Sequence, residues 1–88
     1  MSVYCISYDL KSENYENLID AIQAYGIWWH QSESTWLIES SQSAKQILDN
    51  LNNHLQNEDK IIVIQVHKHW WATGHTDEEY KWMKDRNY

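Results

Sequence analysis

At 88 residues, 42% of them apolar and 14% aromatic, the chain has enough material for one small hydrophobic core and too little for two domains. Seven Lys and Arg against 13 Asp and Glu leave a net charge of −6, which favours solubility and excludes a general nucleic-acid coat protein, whose affinity comes from neutralising phosphates with cations. The lone Cys5 cannot form an internal disulfide, and neither a signal-peptide pattern nor an apolar run of membrane-spanning length occurs, so the expected location is the cytoplasm.

The first element is a strand over Val3 to Leu10, where Tyr4, Ile6, Tyr8 and Leu10 alternate with Val3, Cys5, Ser7 and Asp9. From Glu13 to Tyr25, Tyr15, Leu18, Ile19, Ile22 and Tyr25 recur at helical spacing, with Ser12 as N-cap and Gly26 just past the end. Ile27 to His30 and Thr35 to Glu39 are two short strands, and Gln31 to Ser34 between them makes a hairpin. Ser43 and Gln46 form a capping box for a helix lined by Ala44, Ile47, Leu48, Leu51 and Leu55 and ending near Asn57. Lys60 opens the strand Ile61 to Val66, which is expected to run on through His67, Lys68 and His69. Thr76 and Glu79 form a second capping box for a short helix from Asp77 to about Arg86, with Asp77 and Lys81 paired at i, i+4.

The order strand, helix, strand, strand, helix, strand gives an α+β class. It is the ferredoxin-like βαββαβ arrangement, with both helices on one face of a four-stranded antiparallel sheet. The expected division is a ferredoxin-like domain over residues 1–75 and a helical tail over 76–88 packed on the same domain. If Tyr4, Ile6 and Tyr8 face the helices, the open face presents Val3, Cys5, Ser7 and Asp9 from the first strand. By the same alternation Ile61, Val63, Gln65, His67 and His69 are expected there from the last strand. A surface this apolar needs a cover, either the tail or a second copy docking sheet to sheet. A chain that buries only about 60–65% of its unfolded surface gains from self-association.

Tyr8-Asp9-Leu10, Ser34-Thr35-Trp36-Leu37-Ile38, and Trp71-Ala72-Thr73-Gly74 leading into Asp77-Glu78-Glu79 and Trp82 carry a resemblance. Together they resemble the small bacterial and phage proteins of the SinR family, which are similar to the small CRISPR-associated adaptation protein of ferredoxin-like fold. The resemblance implies a homodimer and a phage or mobile-element setting. It also implies, at the position of Asp9, a carboxylate proposed in the CRISPR relatives to hold Mg²⁺ for phosphodiester cleavage. The basic residues with which those relatives seat DNA have no counterpart among the dispersed cations here.

Several groups are candidates for chemistry, each with a plainer role beside it. Asp9, with a second carboxylate from Glu33, Asp59 or the second copy of a dimer, suits Mg²⁺; alternatively it accepts backbone hydrogen bonds at the strand end. His67 and His69 on a strand would share one face about 7 Å apart and could grip a metal closed by His75 or Asp77; otherwise they are polar cover. Only His30-Gln31-Ser32 fits the His-x-Ser/Thr pattern, and two-histidine phosphoesterases need two such motifs. Six Trp in a chain without Phe stand at Trp28, Trp29, Trp36, Trp70, Trp71 and Trp82. They serve as core, as interface anchors or as stacking platforms for a base, and in an adjacent strand pair one indole points away from the helices. A Trp beside His30 and Gln31 could line a base-binding pocket. Cys5 and His54 have structural roles, and Asp77-Glu78-Glu79 complements a helix start. The expected function is a non-catalytic homodimeric binding module without cofactor. It would use Trp28, Trp29, His30, Trp36, Trp70 and Trp71 to engage a protein partner or a nucleotide-like ligand. The alternative is a Mg²⁺-dependent nuclease using Asp9.

Overall fold

The computed structural model describes residues 1–12 and 15–88. In chain order the elements are β1 (Ser2–Asp9), α1 (Tyr15–Gln23), β2 (Trp28–Ser32), β3 (Thr35–Ser40), α2 (Ala44–Asn52), β4 (Lys60–Val66) and α3 (Asp77–Lys84). The four strands form one antiparallel sheet in the order β2-β3-β1-β4, which is the ferredoxin-like arrangement expected from the sequence.

The main core lies between this sheet and α1 and α2. Tyr4, Ile6 and Tyr8 of β1 and Trp36 and Ile38 of β3 meet Leu18 and Ile22 of α1 and Ile47 and Leu51 of α2. Leu18, Ile22, Ile47 and Leu51 are wholly buried, which identifies the helical stripes that the spacing predicts. Trp36 is the largest of the fully buried side chains and donates from Nε1 to the Tyr8 hydroxyl at 3.2 Å, so its one polar atom is satisfied inside the core.

The expected start of α1 at Glu13 lies outside the described residues. Ser12, expected as its cap, gives its hydroxyl to Asp59 at 2.7 Å. At the other end the helix gives way to turns after Gln23, and Gly26 takes the positive φ of 89° expected of a terminating glycine. α2 stops at Asn52, short of the expected Asn57. Past Leu51, its last buried anchor, the backbone bonds tighten to i→i−3, from Asn53 to Asn50, His54 to Leu51 and Leu55 to Asn52. Asn52 and Asn53 favour that change, since asparagine is a poor helix former whose side chain competes with the backbone for hydrogen bonds. Both expected capping boxes are present, Ser43 with Gln46 and Thr76 with Glu79. Asp77 and Lys81 do not pair; the i, i+4 bridge between carboxylate and lysine is Lys45 to Asp49.

Two expectations for β4 are corrected. Residues paired across strands share a face, and the register sets Tyr8 opposite Ile61, Ile6 opposite Val63 and Tyr4 opposite Gln65. Ile61 and Val63 therefore pack on the helix-side core, and Ile62, Ile64 and Val66 occupy the open face. The phase was ambiguous because Ile61 to Ile64 is apolar at every position, and a shift of one residue exchanges the faces. Secondly, β4 ends at Val66, so His67, Lys68 and His69 lie on an exposed irregular segment without strand alternation.

The C-terminal segment covers half of the open face. Trp70, Trp82, Met83 and Tyr88 pack over Val3, Leu37, Val66 and Trp29 in a second, smaller core. Arg86 secures it, reaching Glu39 at 3.8 Å while its guanidinium lies 4.7 Å from the Trp82 ring centre. Among the described residues, no helix is long and apolar enough to cross a membrane.

Candidate functional site

The tryptophans expected at a binding surface separate onto the two faces of the sheet. Trp28 pairs with Ile38 and His30 with Trp36, which places Trp28, His30 and Trp36 on the helix side. There the His30 ring stacks on Trp36 with centroids 3.9 Å apart and planes 6° from parallel, and Trp28 tilts against Trp36 at 5.2 Å. Trp36 itself is buried, whereas Trp28 and His30, each with a ring against it, remain exposed.

Trp29 pairs with Leu37 and takes the opposite face, as the alternation requires of an adjacent Trp pair. It forms the floor of a depression of about 200 Å³ together with Cys5, Gln31, Thr35 and Leu37. Trp70, Trp71, Ala72, His75 and Met83 form the facing wall. Trp71 is 89% exposed, whereas Trp36 is 2% exposed. Continuous with this depression are Ile62 and Ile64, each about half exposed; Ile64 is the register partner of Cys5. The uncovered half of the sheet thus joins Ile62, Ile64, Cys5 and Trp71 in one apolar surface. It is edged by β4, whose outer side has no partner strand among the described residues.

His75 fixes the wall of this site. Its Nδ1 lies 3.1 Å from Glu79 Oε2, its ring meets Trp29 edge-on at 5.2 Å, and Tyr80 meets it edge-on at 5.8 Å. The other oxygen of Glu79 accepts the Thr76 N–H at 3.1 Å, so one carboxylate caps α3 and holds the imidazole together. These hydrogen bonds, led by that from Thr76, lower the Glu79 pKa. Burial pushes the Cys5 thiol pKa up, in keeping with the structural role expected of it and opposed to a reactive thiolate.

Asp9 lies away from these groups, at the far end of β1, beside a shallow depression of about 240 Å³ shared with Ser7, Tyr8, Lys60, Ile61 and Ile62. Its side chain is 63% exposed and its nearest charged neighbour is Lys11 at 3.7 Å. Asp59, expected as a second carboxylate, is fully engaged. Oδ1 accepts the Lys11 and Ser12 N–H groups at 2.7 and 2.9 Å, and Oδ2 accepts the Ser12 hydroxyl and the Gln56 N–H at 2.7 and 2.9 Å. Within one copy, Asp9 thus offers a single exposed carboxylate beside a lysine, and Asp59 is committed to the loop. Among the described residues, no three His, Cys, Asp or Glu side chains converge as metal ligands, and His67 and His69 gain no third partner.

Ile62, Ile64, Tyr80, Lys84 and Met83 were not singled out from the sequence as site residues. The Thr76 capping box does set the phase of α3, and Tyr80 and Lys84, four residues apart, fall on one side of it. No family model, no curated protein and no solved structure matches the chain.

Proposed function

We propose that this protein is a non-catalytic homodimeric binding module. Two copies meet along β4, and the tryptophan surface around Trp70 and Trp71 is left to engage a ligand or partner. The observation that carries this reading is the pair Ile62 and Ile64, 54% and 52% exposed on an edge strand whose outer side lacks a neighbour among the described residues. β4 contains no acidic residue, so antiparallel pairing about Val63 opposes no like charges. It sets Ile62 against Ile64 of the second copy and Lys60 against Val66. Kinship with the SinR-like proteins and a phage or mobile-element setting belong to the same proposal, supported by the short motifs and by a fold of the kind those relatives share.

Native mass spectrometry with size-exclusion light scattering tests the dimer. The wild type is expected at twice the chain mass of 10.6 kDa, and Ile64→Lys at the single-chain mass, still folded and melting where the wild type melts at dilutions that leave it monomeric, because the side chain is half exposed. A wild type that stays monomeric at high concentration overturns the reading.

A further inference from the structure

On the outer side of the Trp70 to Ala72 segment lies a second hollow, a groove of about 480 Å³ lined by Trp70, Trp71, Ala72, Tyr80 and Lys84. We propose that this groove binds a small planar aromatic ring bearing an anionic group, such as a nucleoside monophosphate or an aromatic carboxylate. The inference deepens the binding-module reading, on which it rests.

Size, rigidity and charge all point the same way. The volume falls within the range of small-molecule sites, which runs from about 300 to 1,000 Å³. The walls are held in place without a ligand. The Tyr80 hydroxyl donates to the Ala72 carbonyl at 3.0 Å, the Tyr80 ring abuts His75, and Trp70 is anchored in the cluster of Val3, Leu37 and Met83. A preformed site spends little ordering entropy on its ligand. Against these fixed walls Trp71 stands 89% exposed, offering an indole on which a flat ring can stack. The single charged group lining the groove is the ammonium of Lys84, and among the described residues Lys84 joins no ion pair. In a chain of net charge −6, an unpaired cation beside the aromatic walls selects an anion attached to a ring and gives a cationic ring no advantage.

The test titrates the full chain with adenosine 5′-monophosphate, adenosine, ribose 5-phosphate and 1-naphthoate, following amide and indole ¹H–¹⁵N shifts. Saturable binding of adenosine 5′-monophosphate or of 1-naphthoate is expected, with the largest shifts at Trp70, Trp71, Tyr80 and Lys84. Adenosine should bind about threefold to tenfold more weakly than its monophosphate, and Lys84→Gln should remove that difference. Trp71→Ala should weaken the bound probe about tenfold while the thermal midpoint stays put, since so exposed an indole adds little to the core. Binding of the monophosphate alone assigns the source to nucleotides, and binding of 1-naphthoate alone assigns it to aromatic acids. Failure of both to saturate, equal binding by ribose 5-phosphate, or shifts centred on Ile62 and Ile64 would each overturn the proposal. Oligomer mass recorded on the same samples separates the two readings: an intact dimer that ignores every probe refutes the groove alone, and a liganded monomer refutes the dimer alone.

Discussion

Both oxygens of Asp59 accept two hydrogen bonds each, from Lys11, Ser12 and Gln56, so a single carboxylate ties the loop after β1 to the loop before β4. The Ser12 hydroxyl contributes most to lowering its pKa, from 3.8 to about 2, with the backbone N–H groups adding to it. A depressed carboxylate pKa contributes stability that is present above the unfolded value and is lost as pH falls through the folded one. The thermal midpoint is therefore expected to fall between about pH 4 and pH 2, and Asp59→Asn should flatten that dependence while lowering the midpoint at neutral pH. Circular dichroism melts across this range decide it, and an unchanged pH profile in the variant would remove Asp59 as the cause. Asp9, by contrast, is exposed and reaches only Lys11, an arrangement that contributes little to stability.

At the scale of elements, α3 decides how much of the sheet is hidden. Thr76 accepts the Glu79 N–H at 3.3 Å, Glu79 answers the Thr76 N–H, and acidic residues in the first turn with lysines in the last match the helix dipole. Thr76→Ala should cost about 1 kcal/mol, and the loss should be felt where Trp82 meets Trp29 at 5.9 Å. A lower melting midpoint accompanied by greater acrylamide quenching of the indoles is the expected result; unchanged quenching would mean that the tail is held by Arg86 and Met83 alone. The helix starts legible in the sequence were those of α2 and α3, each marked by a capping box, with an apolar period beside it in α2. β4 was legible as a strand and illegible as to face, since four consecutive apolar residues carry no alternation and only pairing with β1 sets the phase. The site was harder still. That one of Trp28 and Trp29 must leave the helix side followed from alternation, but that His30 would stack on Trp36 depends on the register of their hairpin, whose turn type the sequence does not show, and that His75 would brace Trp29 depends on a contact between distant segments that no local pattern encodes.

The whole molecule has two unequal layers on its sheet, a pair of helices on one face and a partial cover of tail on the other. That inequality supplies the motive for self-association: the half left open carries Ile62 and Ile64 on the edge strand, whose exposure a small domain can ill tolerate. If two copies share this surface, the wild-type melting midpoint should rise with protein concentration, by mass action, whereas that of Ile64→Lys should not. Differential scanning calorimetry over a wide concentration range reads this directly, and a concentration-independent wild type would count against the dimer. The placement of β1 has a different kind of consequence. It is the first strand in sequence yet lies between β3 and β4, and its partner on one side begins only at Lys60. Closing so long a loop is entropically slow, and no nearby strand can substitute for β4 meanwhile. On the ribosome, the order in which strands emerge and the order in which they stand in the sheet disagree, and the growing chain carries β1 without a partner until β3 is made and half paired until β4 follows.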